Sequence, residues 1–432
     1  MRWHTVTARL AVGLGSMMLI GGCIAGATHS PSPSSVPGEP SDSPAPTPAA
    51  SVSPSPAPSG PTAAPSTPPA INAAAWHPTA NMIMPHDRHT ATLLRDGRVL
   101  VAGGLATIGS SEEDSDKAEL YDPASGQWTM TGDMVQARSG PTATLLADGR
   151  VLVAGGWSSH DGYQFASAEL YDPATGRWTT TGKMHRARGG HTATLLPDGR
   201  VLVTGGVNLT GGEGEGVKSA ELYDPDTGRW TPTGKMLEAL AGHQATLLTN
   251  GRVLVTGYTG GGGSHAEVYD PGSGRWASTG RMSAECRGGH TATLLSDGRV
   301  LVTGGMCGTG ETFDPSCSRG SGACSAELFD PGTGRWTSTG GLHVERVGAS
   351  ATLLPDGTVL VVGGTGLEPP PAELYHPDSG AWTVTASPPA GACWFAPTTT
   401  ALADGRVLAT GSPGEAVDCG RIAVLYDPGS GR

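Results

Sequence analysis

One sequence pattern recurs between Trp76 and Arg432 at intervals of about 50 residues. A clear copy reads RGGHTATLLPDGRVLVTGG, then a variable stretch, then SAELYDPDTGRWTPTGKM. A unit of this size cannot bury its apolar side chains alone, so successive copies must pack against one another. The repeat therefore predicts an array of similar modules rather than a single undivided core.

Each unit reads as four short β-strands. HTATLL and RVLVTGG are rich in strand formers and are joined by Asp-Gly, which predicts a hairpin with a type I′ turn. AELYDP gives a third strand that ends at Asp-Pro, and RWTPTG gives a fourth after a glycine turn. With 67 Gly and 35 Pro, the chain has too many turn formers to be mostly helical.

The number of strands predicts how the array closes. First, second and third strands each occur seven times, whereas fourth strands reach seven only if the segment at Trp76 is included. We therefore predict that Trp76 to Met82 pairs against Val424 to Tyr426, because an unclosed ring would leave an exposed sheet edge. The expected fold is all-β: a seven-bladed β-propeller whose N-terminal outer strand completes the C-terminal blade.

The Gly-Gly after the second strand, the Tyr of the third and the Trp of the fourth resemble kelch repeats. Stretches such as HTATLLPDGRVLVTGG are similar to the bacterial and fungal branch of that family, which includes the central domain of galactose oxidase. The resemblance covers about Trp76 to Arg432 and implies kelch-type blades over residues 76–432. Because kelch propellers serve many functions, it does not define an activity.

The N-terminal residues predict export. Residues 1–22 have a basic start, an apolar segment and small residues before Cys23, as in a signal peptide, and LIGGC resembles the bacterial lipobox. Cys23 is then the expected lipidation site at the outer face of the cytoplasmic membrane or in the cell envelope, with free secretion as the alternative. Residues 23–75 are rich in Pro, Ser and Ala and predict a disordered linker.

The net charge limits the class of partner, and the cysteine content predicts disulfides. A net charge of −12 without a basic run argues against nucleic acid and against membrane binding by any means except a lipid anchor. We expect the chain to be a monomer whose partner is a protein or glycan of the envelope or outside the cell. The even number of cysteines beyond Cys23 predicts three disulfides in an exported chain: Cys286–Cys307, Cys393–Cys419 and Cys317–Cys324.

The internal repeat separates scaffold from candidate site. Residues that recur at one repeat position are expected to serve the blade, which applies to two sets of side chains. The histidines are His89, His191, His243 and His290, and the arginines are Arg138, Arg188, Arg287 and Arg346. The alternatives for these sets are a metal site in the channel and a cationic ring for an acidic ligand.

Residues that break the pattern are the candidate site residues. The loop entering the first strand and the loop leaving the second must lie on the same face of the disc, because the two strands are antiparallel. Aromatic and charged side chains on such loops are typical of ligand sites on rigid scaffolds. The candidates on this face are His86, Arg88, Trp157, His160, Asp161, Tyr163, Tyr258 and Trp394. Packing of these aromatics against the loops or the channel is the alternative.

These observations favour a protein- or glycan-binding module, with an exported enzyme as the alternative. The galactose oxidase resemblance implies a copper site with two Tyr and two His ligands, but only Tyr163 and Tyr258 lie outside the repeated Tyr position. No nucleophile elbow, zinc-binding His pair or closely spaced carboxylate pair marks a hydrolase, lyase or epimerase. No catalytic residue, metal ligand or cofactor is therefore assigned, and copper or calcium has no support from the motifs.

Overall fold

The computed structural model describes residues 74–108, 111–208, 215–259, 263–283, 287–306, 324–364, 370–389, 396–411 and 419–429. Their strands form seven four-stranded antiparallel sheets, so the predicted seven-bladed propeller is confirmed. Blades are numbered from the sheet that begins at Thr90. None of the helices in the described part of the chain has the length and apolar character needed to span a bilayer.

The strands keep the order of the sequence pattern in every blade. The first strands are Thr90–Leu93, Thr142–Leu145, Thr192–Leu195, Leu240–Leu247, Thr291–Leu294, Ser350–Leu353 and Thr398–Ala401. The second strands are Val99–Ala102, Val151–Ala154, Val201–Thr204, Val253–Thr259, Val300–Thr303, Val359–Val362 and Val407–Thr410. The third strands are Ala118–Asp122, Ala168–Asp172, Ala220–Asp224, Gly263–Asp270, Ala326–Asp330, Glu373–His376 and Ala423–Asp427. The fourth strands are Gln127–Met130, Arg177–Thr180, Arg229–Pro232, Arg275–Ser278, Arg335–Ser338, Ala381–Val384 and, for blade 7, Ala75–Pro78.

The core lies between adjacent blades. Each second strand is buried along its first four residues, because both faces of a blade pack against a neighbour and the apolar run need not alternate. Between blades 1 and 2, for example, Leu100 and Leu120 pack with Val151, Val153 and Tyr171. The first strand of each blade contacts the first strands of both neighbours, which closes a ring around the central axis.

The hairpin between first and second strands is confirmed, but the predicted turn type is wrong. In blade 1, Gly97 has φ +87°, whereas Asp96 does not adopt positive φ as a type I′ turn requires. Gly97 N donates to Leu94 O at 3.1 Å, and Leu94 N donates to Arg98 O at 2.8 Å. This pattern is a three-residue loop with a left-handed glycine at a bulge, and the Asp96 carboxylate instead accepts from Arg98.

The ring closes as predicted, with Trp76 opposite Tyr426 and Pro78 opposite Val424, but the paired strand is Ala75–Pro78 and does not extend to the predicted Met82. The joint across the two chain ends uses the same contacts as the joints inside the chain. Trp76 Nε1 donates to Ala386 O at 2.8 Å, just as Trp128 Nε1 donates to Ala80 O at 2.8 Å. The outer strand at Trp76 is therefore an ordinary member of the last blade.

Four features depart from this plan on the face that carries the loops into the first strands. Two extra hairpins follow second strands: Leu105–Ile108 with Ser111–Asp114 in blade 1, and Val207–Asn208 with Glu215–Gly216 in blade 3. In blade 4 the first three strands are seven or eight residues long rather than four or five. A short 3₁₀ helix, Cys419–Arg421, precedes the last strand of the chain. The signal, Cys23 and nearly all of the linker lie outside the described residues.

Candidate functional site

The repeated arginines are parts of the blades. Arg138 is fully buried and donates to Gly155 O at 2.9 Å and to the Glu169 carboxylate at 2.8 Å. Glu169 lies in the third strand and also accepts from the backbone N–H groups of Val135 and Gln136. Equivalent pairs join Arg188 to Glu221, Arg287 to Glu327 and Arg346 to Glu373. The pairs hold the loop that enters each first strand.

In the blades that lack this arginine, another residue occupies its position. In blade 1, His86 occupies the arginine position, is fully buried, and bonds Gly103 O at 2.7 Å and Glu119 at 3.1 Å. In blade 4, Leu240 stands there and His265 approaches Glu267 at 3.3 Å. His86 therefore serves the interior of its blade and does not reach the loop surface.

The repeated histidines tie neighbouring blades together. His89 Nε2 lies 2.7 Å from Thr410 Oγ1 of blade 7, and His290 Nε2 lies 2.7 Å from Thr256 Oγ1 of blade 4. Burial lowers the pKa of His89, His191 and His290 to about 3, and that of His243 to about 4. Neutral, enclosed imidazoles bonded to adjacent blades match the structural role expected from their repetition. Within the described ranges, no three His, Cys, Asp or Glu side chains are grouped to hold a metal ion.

The predicted pairing of the two loops on one face is present. Ser139, which enters the first strand of blade 2, forms a backbone bridge with Trp157, which follows the second. The same bridge joins Asp87 to Leu105 and Gly288 to Met306. We call this side of the disc the loop face.

The pattern-breaking aromatics Trp157 and Tyr258 reach across blade boundaries on the loop face. The half-buried Trp157 indole lies against the backbone of Gly189 in blade 3, where a Cβ would overlap it. The half-buried Tyr258 ring lies in the same way against Gly288 in blade 5. Glycine at these two positions therefore lets each ring lie flat over the joint between blades.

The loop after Trp157 is a closed turn that carries the other blade 2 candidates. Ser158 N donates to Tyr163 O at 2.8 Å, and Trp157 forms a second bridge with Gln164. His160, Asp161 and Tyr163 are exposed at its tip, with Tyr163 42% exposed.

Tyr163 has a defined place in this turn. Its ring packs edge-on against the buried Phe165, with centroids 5.5 Å apart. The charge of Asp161 raises the pKa of Tyr163. The phenol and the carboxylate are thus neighbours on a supported turn.

The extra hairpin of blade 1 supports this turn from the side. Asp114, at the end of that hairpin, accepts from Ser159 N at 2.7 Å. Burial is the main cause that raises the pKa of Asp114, and the charge of Asp161 adds to it. This contact joins two loops that each occur once in the chain, so the repeat gave no signal for it.

Arg88 is connected to Trp157 through Gly140. Arg88 O accepts from Gly140 N at 2.9 Å, and the Trp157 indole packs against Gly140. The Arg88 guanidinium is 30% exposed and lies 3.7 Å from the Asp87 carboxylate. We call Arg88, Trp157, His160, Asp161 and Tyr163 the blade 1–2 site.

The structure thus brings five of the eight candidates to one sector of the loop face. Tyr258 lies apart, at the joint of blades 4 and 5, and His86 is internal. Trp394 lies outside the described residues, as do Cys286, Cys307, Cys317, Cys393 and the side chain of Cys419. Cys324 is disulfide-bonded.

Comparison with known proteins agrees with this architecture. Residues 138–185 and 188–237 match the model of the Kelch motif. The chain is therefore a seven-bladed β-propeller with Kelch motifs. No curated protein matches its sequence.

Two solved structures resemble the chain. One is a fungal alcohol oxidase of the AA5 family in complex with copper, with a TM-score of 0.64 and 20% identity over 83% of this chain and 77% of that chain. The other is YjhT, with a TM-score of 0.51 and 18% identity over 71% of this chain and 99% of that chain. At these identities the likeness establishes the fold alone.

Proposed function

We propose that this protein is an exported, envelope-anchored binding module that docks a protein partner through the blade 1–2 site. The observation that supports this proposal is a difference in location between the repeated side chains and those that break the repeat. The repeated Arg and His side chains are bonded within and between blades, whereas five residues that break the repeat gather on one sector of the loop face.

The composition of the sector favours a protein partner. Trp, Tyr and Arg are the residues enriched at the centres of protein interfaces, where large rigid side chains gain contact area at low entropic cost. Trp157 and Tyr163 are held by Gly189 and Phe165, so little ordering remains to be done on binding. A glycan is the alternative partner, but the described sector offers only these two aromatic rings for sugar stacking.

The N-terminal segments support the location. A lipidated Cys23 followed by a Pro-rich linker would hold the propeller away from the membrane and leave the loop face open to envelope proteins. The net charge of −12 disfavours a partner with a large negative net charge, because the two proteins would repel each other.

Two glycine variants test the site without removing any of its side chains. Gly189→Ala should displace the Trp157 indole, and Gly288→Ala should displace the Tyr258 ring by the same overlap. Neither glycine has positive φ, so alanine adds no backbone strain at either position. Gly288→Ala is therefore a matched control on a different sector of the same face.

The measurement is pull-down from the envelope fraction of the producing cells with the immobilised full exported chain. We expect a specific protein band that Gly189→Ala and Tyr163→Ala weaken at least tenfold and Gly288→Ala retains. Equal retention by all variants would place the partner elsewhere on the propeller. Selective binding to purified envelope glycan instead of protein would replace the protein partner with the glycan alternative.

A further inference from the structure

Arg88 occupies a backbone position that the other blades give to small residues. The equivalent residues, each directly before the repeat position that His89 occupies in blade 1, are Gly140, Gly190, Gly242, Gly289, Gly348 and Ala396. The five glycines have φ between +51° and +73°. Arg88 has φ +52°, and it is the one non-glycine residue with positive φ in the described part of the chain.

This conformation opposes the stability of the fold. A residue with a Cβ in the left-handed region meets steric strain that glycine avoids. The repeat shows that the blade works with glycine here, so the arginine is not needed to build it. Strained residues that the surrounding structure holds in place cluster at functional sites.

The position lies at the rim of the central channel. The first strands form a continuous ring, and residues at the Arg88 position are bonded from blade to blade. Gly140 N donates to Arg88 O at 2.9 Å, Gly289 N to Gly242 O at 3.2 Å, and Gly348 N to Gly289 O at 2.8 Å. Arg88 therefore contributes the only side chain longer than a methyl group to this described ring of seven residues.

We propose that Arg88 is the anchor for a carboxylate group of the partner at the mouth of the channel. A guanidinium presents a planar set of N–H donors that matches a carboxylate in a two-point contact. The Asp87 carboxylate lies 3.7 Å from Arg88 Nε, and the Trp157 indole packs against Gly140, whose N–H donates to Arg88 O. This inference deepens the proposed function by naming the chemical group that the blade 1–2 site recognises.

Two variants of the full exported chain separate strain from recognition. Arg88→Ala removes the guanidinium and keeps a Cβ at positive φ, whereas Arg88→Gly removes both. We expect Arg88→Gly to melt about 1 to 3 °C above Arg88→Ala, because glycine relieves the strain. An Arg88→Gly melting temperature equal to or below that of Arg88→Ala would contradict the strain argument.

Recognition is measured by the shift in melting temperature caused by free glutarate at constant ionic strength, with sulfate as a second probe. A ligand that binds the folded state raises the melting temperature by an amount that grows with its concentration relative to its dissociation constant. We expect glutarate to raise that of the parent by at least 1 °C and that of both variants by less than a third as much. Equal shifts in all three proteins would overturn the proposal, and a shift by sulfate alone would overturn the carboxylate assignment. The glutarate test and the pull-down with Gly189→Ala are independent. The carboxylate proposal can therefore fail while the proposed protein-docking site stands, and the reverse also holds.

Discussion

Trp76 and Tyr426 lie opposite each other in the last blade, with ring centroids 5.1 Å apart, although they stand near the two ends of the described chain. The pair Tyr121 and Trp128, joined by a short loop in blade 1, has centroids 5.0 Å apart. The pair that closes the ring thus has nearly the same ring separation as the pair within blade 1. Closure makes the stability of the propeller depend on a strand at its N-terminal edge.

Trp76→Ala should lower the free energy of unfolding by about 2–4 kcal/mol, because it removes an aromatic side chain from the closing joint. Urea denaturation of Trp76→Ala beside Trp128→Ala measures this. Both indoles donate to a backbone carbonyl and pack against a tyrosine, and Trp76→Ala should lose somewhat less than Trp128→Ala because Trp76 is less buried. A neutral Trp76→Ala would show that the outer strand of blade 7 is dispensable.

Arg138→Leu should destabilise the fold by about 3–5 kcal/mol, because it leaves the buried Glu169 without its cation. Adding Glu169→Val should restore part of that loss, although the N–H groups of Val135 and Gln136 then lose an acceptor. Denaturant unfolding of both single variants and of the double variant gives the coupling energy. Additive losses would contradict the ion pair.

The propeller should lose stability as the pH falls below about 6.5. His89, His191 and His290 have a folded pKa of about 3, below the unfolded value near 6.5, so the unfolded chain binds more protons between these values. Their contribution is complete above pH 6.5 and is lost progressively down to about pH 3. His290→Gln should reduce the slope of unfolding free energy against pH between 5 and 6 by about 1 kcal/mol per pH unit. Equal slopes in the parent and in His290→Gln would contradict the burial argument.

Asp161→Asn should lower the pKa of Tyr163, because the neighbouring charge that disfavours the phenolate is removed. The shift is measured by titrating tyrosinate absorbance. The titration curve of the Tyr163→Phe variant is subtracted to remove the signal of the other tyrosines. The Asp116→Asn variant, which changes a carboxylate elsewhere in the loops, serves as the control. An unmoved Tyr163 pKa in Asp161→Asn would mean that the two side chains are not neighbours in solution.

The repeat predicted the scaffold well because each blade solves the same packing problem. It also held a signal that residue-by-residue interpretation missed. The third strand reads AEL or AEV in five units and PAEL in one, but AVL at Val424, in the unit whose arginine position is Trp394. Blade 7 is thus the unit that lacks both the cation and the carboxylate, as expected if Arg138 and Glu169 are partners, whereas blade 4 has Leu240 at the arginine position and keeps Glu267 beside His265.

The site was less predictable because its contacts occur once. The Asp114 carboxylate accepts from Ser159 N, and the two residues lie on loops of different length in neighbouring blades. No other pair of blades has an equivalent contact among the described residues. The enclosure of His86 was likewise hidden, because an unrepeated histidine near the loop face looks free until its partner Glu119 is known. The conformation of a loop that occurs once depends on contacts that no other blade shares, so the repeat cannot predict it.

Site-specific photo-crosslinking in intact cells tests the central claim that the loop face over blades 1 and 2 docks a protein. A photoreactive residue would replace Tyr163 at the site and Ser125 in the exposed turn between the third and fourth strands of blade 1, on the opposite face. The account predicts one discrete protein adduct from position 163 that Gly189→Ala diminishes, and none of that mass from position 125. Identical adducts from both positions, or an adduct from position 125 alone, would contradict it.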